Sequence, residues 1–144
     1  MHVRSDADLM IPALKKTYKR GKKALTAARK SNSGKDYHEL RKRVKYLWYA
    51  TRLIKHSWHN VLKKVAQEWS QLSDDLGDDH DLIVLRDFAT ENVYKEGAAP
   101  KDLHLEIEVK CREYRQHAHI LIERLFWEKP KLYAERMIGY LKLR

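Results

Sequence analysis

Apolar residues recur along most of this chain at steps of three and four, the period of a helix that buries one face. Ile11, Leu14, Tyr18, Gly21, Leu25 and Ala28 form a narrow seam. They predict a helix over 9–30, with Pro12 in its first turns and Ser5 or Asp6 as its N-cap. Ser31-Asn32-Ser33-Gly34 reads as a turn, short enough to make the next helix, 36–58, an antiparallel neighbour of the first. Leu40, Val44, Leu47, Ile54 and Trp58 are that helix's buried positions. A break at His59-Asn60, with Asn60 as N-cap, opens a third helix through Val61, Val65, Trp69, Leu72 and Leu76, and Gly77 ends it as a left-handed C-cap. A fourth starts within Asp78-Asp79-His80-Asp81, whose carboxylates suit the positive end of a helix dipole. It runs through Leu82, Leu85, Phe88, Ala89 and Val93 until Gly97 to Pro100 closes it. Leu103, Ile107, Cys111, Tyr114, Ala118, Leu121 and Leu125 give the fifth and longest stripe, and Pro130 separates a last short helix over 132–141. No segment alternates with the period of a strand and no internal repeat is visible. The predicted fold is all-α, an antiparallel helical bundle of five to six helices. Residues 1–8 form a polar lead-in and 9–144 a single helical domain, since 144 residues are enough for one core and too few for two.

Charge is laid unevenly over this pattern. The formal net charge is +10, and residues 1–60 hold 16 Lys or Arg against 4 Asp or Glu, so the surplus belongs to the first two predicted helices. Stepping 100° per residue from His38, the side chains of Arg41, Lys42, Lys45, Tyr49, Arg52 and His56 fall within about 60° of one direction on a helix. They make a cationic stripe opposite the apolar one. On the first helix, Lys15, Lys19, Lys22 and Arg29 share a face beside the seam. One such ridge alone is the solvated flank of a surface helix. Two ridges of one sign on antiparallel neighbours predict a groove, with Lys15, Lys19 and Lys22 across from Lys42, Lys45 and Arg52. The asymmetry implies a polyanionic partner, whether nucleic acid, phosphorylated polymer or anionic membrane surface, without choosing among them.

Other chemistry finds less support. Cys111 is the one cysteine, which excludes a disulfide framework and a thiolate metal knuckle and fits a reducing cytoplasm. On its buried line it reads as a small core hydrophobe. No apolar run approaches the roughly 18 residues of a spanning helix, and the N-terminus lacks the apolar core of a signal peptide. His80 and Asp81 form a His-Asp dyad of the kind that holds divalent metals in phosphohydrolases. Such a site needs further His and Asp ligands, and His38 lies among Arg41, Lys42 and Lys45, whose field opposes a cation. His56 and His59 offer two ligands at most, and His117 and His119 lie on different helix faces. There is no glycine-rich phosphate loop and no Ser or Cys nucleophile with an identifiable base. The expectation is a non-enzymatic binding protein with no catalytic residue, cofactor or metal.

HELRKRVKYLWY, from His38 to Tyr49, followed by LGDDHDLIVL, from Leu76 to Leu85, resembles the C-terminal half of a CHAD domain, the conserved histidine α-helical domain. LKKTYKRGKKAL, from Leu14 to Leu25, resembles the family's helix before the histidine helix, and RLFWEKPKLYAERM, from Arg124 to Met137, its closing segment. The resemblance implies a helical bundle that binds inorganic polyphosphate along a basic surface and is not itself catalytic, in the cytoplasm and at polyphosphate granules. His38, Arg41, Lys42 and Lys45 fall on the family's histidine-and-basic motif, and Lys19, Arg20, Lys22 and Lys23 in its basic preceding helix. Many members have arginine where this chain has Trp48. Complete members contain two halves whose basic helices line a shared channel, so this chain implies a second half, in a homodimer or in a longer chain. The expected polyphosphate contacts are therefore Lys15, Lys19, Arg20, Lys22, Lys23, His38, Arg41, Lys42, Lys45, Tyr49 and Arg52. A Lys and Arg stripe with few aromatic platforms suits a polymer that is charged throughout and has no bases to stack. The alternative is a nucleic-acid-binding bundle, and after it a metal-dependent phosphohydrolase using His80 and Asp81.

Overall fold

The computed structural model describes residues 6–92 and 101–143, the side chain of Lys101 aside. Every regular element among them is helical. A single turn, α1 (Asp6–Leu9), leads into α2 (Ile11–Ser31), which takes Pro12 in its first turn, where the missing N–H is not needed. Asn32 ends α2 in the left-handed conformation, φ 53°, and its amide donates to the Ala28 carbonyl at 2.8 Å. Ser33 then caps α3 (Gly34–Ile54), its hydroxyl accepting the Asp36 N–H at 3.2 Å. So short a connection turns the chain back, and α3 runs antiparallel to α2. A 3-10 turn (Lys55–Trp58) passes the chain to α4 (His59–Asn92), followed by α5 (Lys101–Leu125) and α6 (Pro130–Lys142).

α3 packs between α2 and α4, α5 returns along α4, and α6 lies against α2. The seam predicted on α2 is buried at Leu14, Tyr18, Gly21, Leu25 and Ala28, and meets Leu40, Val44, Leu47 and Ile54 of α3. Aromatic rings hold the centre. Tyr133 stacks on Tyr18 at 4.1 Å, Phe126 leans on Tyr18 at 5.4 Å, and Trp69 meets Phe126 edge-on at 5.1 Å. Gly21 makes room for this cluster, since a Cβ there would stand 2.8 Å from the Phe126 ring. The Tyr18 hydroxyl donates to the Leu125 carbonyl at 3.0 Å, and burial pushes its pKa well above the ordinary phenol value. Each large apolar side chain fully buried here contributes about 1.5–3 kcal/mol, before entropy is set against it.

Four sequence expectations change. The third and fourth predicted helices are one, since α4 runs unbroken through Gly77, which has no positive φ and caps nothing. Asp78 to Asp81 consequently lie in mid-helix, away from any positive dipole end. The helix before the break stops at Ile54, and Trp58 is 47% exposed, packing edge-on against Tyr140 at 5.0 Å. Leu85 and Phe88 are exposed on the far half of α4, leaving Ala89 buried there. Ser5, Val93 and the closure at Gly97 to Pro100 lie outside the described residues. Cys111 is buried as expected, its Sγ 3.9 Å from the Asp79 carbonyl, and burial, with Asp79 beside it, pushes the thiol up to about 11.

Candidate functional site

The apolar stripe of α3 fixes where its polar residues point. With Leu40, Val44, Leu47, Thr51 and Ile54 buried, the opposite side of the helix faces outward. His38, Arg41, Lys42, Lys45, Tyr46 and Tyr49 line a shallow pocket of about 280 Å³ there. Five of these six were expected from the sequence, and all come from α3. Arg52, one turn further on, lines an adjoining groove of about 240 Å³ between α3 and α4, with Trp48, Lys55, Lys63, Ala66, Gln67 and Ser70. Its guanidinium lies 5.1 Å over the Trp48 ring, whose other neighbour is Tyr49 at 5.1 Å.

Arg41 is held from behind. Its Nε donates to the Ser73 carbonyl of α4 at 3.3 Å, and its guanidinium lies so close over Gly77 that a Cβ there would meet it at 2.9 Å. That contact explains a glycine inside a long helix, where alanine has the better propensity. His38 sets its ring 5.2 Å from that of His80, whose buried Nδ1 finds no hydrogen-bond partner.

The facing ridge on α2 is placed differently from the expected groove. Lys22 donates to the Glu128 carbonyl at 2.8 Å, beside the Tyr18 ring, and Arg29 pairs with Glu123 of α5 at 2.7 Å. Both line a pocket with Ile122, Phe126 and Trp127, so this ridge is turned toward α5 and its connection to α6. Lys15 and Lys19, at helical spacing from Lys22, share that side and are exposed, as are Arg20 and Lys23 on the outer surface of α2. No residue of α2 lines the α3 pocket.

Charge pairing separates these cations further. Arg43, next to Lys42 in sequence, is paired with Glu39 at 2.9 Å. Among the described residues, no carboxylate pairs with Lys42, Lys45, Arg52, Lys55 or Lys63. Lys55 and Lys63 were missed by the sequence reading. Lys55, in the 3-10 turn three residues past Arg52, falls about 100° from the His38 direction and so outside the stripe, and Lys63 arrives from α4 with no periodic signal. Asp81 is exposed, and among the described residues no three His, Cys, Asp or Glu side chains converge so as to hold a metal ion. Nor is any helix among them long and apolar enough to cross a membrane.

A family model for the CHAD domain matches residues 3–90, which takes in α1 to α3 and nearly all of α4. The segment 124–137, which resembles the family's closing stretch, lies outside that match. No curated protein and no solved structure matches the chain.

Proposed function

The chain belongs to the CHAD-domain family, whose domains are in general polyphosphate-binding rather than catalytic, and from that premise we propose that the outer surface of α3 binds inorganic polyphosphate without acting on it. His38, Arg41, Lys42, Lys45 and Tyr49 make the primary contacts, continued by Arg52. Lys15, Lys19, Arg20 and Lys23 add positive potential from α2, with Lys22 tied to the α5–α6 connection. The observation that carries the reading is the unanswered charge of Lys42, Lys45 and Arg52 beside an Arg43 that has its carboxylate. Like charges that no acid neutralises repel one another and destabilise the fold, and a bound polyanion removes that repulsion. A unit charge pair at about 4 Å is worth about 4 kcal/mol at an effective dielectric of 20, before desolvation. Arg41, anchored on Ser73, offers a preset fork, while the lysines follow the polymer as mobile point charges.

A second basic half, from another copy or from a longer chain, would close this open surface over its ligand. Tyr46, Tyr49 and Leu53 are exposed along the outer side of α3, where such a half would face it. A nucleic-acid-binding bundle needs stacking platforms, and here Trp48 lies between Arg52 and Tyr49, leaving Tyr46 and Tyr49, 42% and 46% exposed, as the accessible rings of this pocket.

Competition of defined polyphosphate chains against DNA, RNA and heparin at fixed salt tests the ligand. Lys42→Ala/Lys45→Ala tests the place: polyphosphate affinity falls, and the log–log salt slope drops by about 0.7 for each lost contact, by analogy with single strands. Lys131→Ala/Lys142→Ala is the control, because both lysines are already paired, with Glu135 and Asp8. Equal losses from the two double variants would show that net charge binds, and preference for nucleic acid would favour the alternative.

A further inference from the structure

The groove between α3 and α4 extends the basic surface beyond the residues that the family motif covers. Arg52 and Lys55 from the end of α3 and its 3-10 turn, and Lys63 from the first turns of α4, converge on it, with no acid in its lining. Gln67 and Ser70 add neutral hydrogen-bond donors on the α4 side. Trp48 and Tyr49, in ring contact, stand where this groove adjoins the His38 pocket. The Trp48 ring also holds the Arg52 guanidinium in place. From Lys42 to Lys55 the chain rises about 20 Å along the helix axis, at about 1.5 Å per residue, while the basic surface winds round from the outer face of α3 toward α4. Three linked phosphate tetrahedra are much shorter than that.

We propose that this groove is a second phosphate subsite, so that a polyphosphate binds at full strength only when it is long enough to occupy both pockets. The inference rests on the polyphosphate reading above and adds to it a selection by chain length. The first pocket captures one segment of the chain. The second then engages the continuing segment as an intramolecular event, at a high effective concentration. A short oligophosphate fills one pocket and gains nothing from the other.

The test compares inorganic triphosphate with chains of several tens of phosphates, by calorimetry at low salt, on the full chain. Lys55→Ala/Lys63→Ala is expected to lose about tenfold on the long chain, with a salt slope lower by about 1.4 for two lost contacts, and no more than twofold on triphosphate. Lys42→Ala/Lys45→Ala loses affinity for both ligands, and Lys131→Ala/Lys142→Ala for neither. A circular-dichroism melt confirms that each variant is folded. Unchanged long-chain binding by Lys55→Ala/Lys63→Ala would overturn the subsite while Lys42→Ala/Lys45→Ala still upheld the α3 site. Equal losses on both lengths would also overturn it, since a diffuse field does not read length. Binding untouched by either pair would reject the α3 site itself.

Discussion

Positive charge is handled in opposite ways on the two sides of this bundle. On the α4–α5 side, cations hold helices together and carboxylates meet them. Arg115 sets its Nε 3.1 and 3.2 Å from the two oxygens of Asp79, which is 1% exposed. It also reaches Asn32 Oδ1 at 3.1 Å and lies 4.8 Å over the Tyr37 ring, so one side chain ties α5 to α4 and to the α2–α3 turn. One turn away, His117 Nδ1 and the buried Asp75 are 2.5 Å apart, and Gln71 donates to the same carboxylate. On the outer side of α3, Lys42 and Lys45 have no such partners among the described residues. The difference separates cations that tie the fold together from cations without a carboxylate, the ones on which the proposed polyphosphate site rests, which composition alone cannot do.

The largest effect expected from breaking this contrast is on stability. Arg115→Ala leaves the Asp79 carboxylate, 1% exposed, without its cation, and stranding a buried charge in this way costs about 3 kcal/mol. Urea titration should place its midpoint well below that of the parent chain, while the folded protein keeps its polyphosphate affinity. Lys42→Ala/Lys45→Ala should behave in the reverse manner, within about 0.5 kcal/mol of the parent in stability and much weaker in binding. If both variants lost the same stability, the division between the two sides would not hold.

Gly77→Ala crosses the boundary, and its effects are smaller. Alanine improves mid-helix propensity by about 1 kcal/mol, but its Cβ would push on the Arg41 guanidinium from 2.9 Å and loosen the bond to the Ser73 carbonyl. That bond is worth about 1 kcal/mol net, so the melting temperature should hardly move. Polyphosphate affinity should fall as far as it does for Arg41→Ala, and the double variant Gly77→Ala/Arg41→Ala should lose little more. Additive losses would mean that Gly77 acts on something other than Arg41.

Gly77 also marks the limit of what the sequence reveals. The α2 seam, the turn at 31–34 and the buried stripe of α3 were legible because periodicity and turn chemistry are local. A glycine after an apolar run looks like a C-cap until Arg41, 36 positions earlier, is found lying across it. Asp79, two residues on, reads as a helix-start acid until Arg115 arrives from α5. The stripe containing Lys22 and Arg29 was visible, but helical spacing does not say which neighbour it faces. Glu123 and the Glu128 carbonyl turn it toward α5 and the connection beyond. On the site itself, the α3 cations were legible as a run, whereas Lys63 enters through tertiary packing alone.

The smallest effect sits where the two sides meet. Arg29 belongs to the basic helix α2, yet it pairs with Glu123 of α5, and that hydrogen bond holds the Glu123 carboxyl below its usual value of 4.5. A carboxylate depressed in the folded state contributes stability above its unfolded pKa and loses it as the pH falls through the lower folded value. The gap in melting temperature between the parent chain and Glu123→Gln should therefore be small at neutral pH, close in acid, and shrink with added salt because both side chains face solvent. Without its carboxylate, Arg29 also joins the unpaired cations of α2, so Glu123→Gln should bind polyphosphate slightly more tightly at low salt than the parent does. A gap that widened in acid would reverse the sign of the pairing. Unchanged or weaker polyphosphate binding would mean that Arg29 lies too far from the ligand's path to be felt.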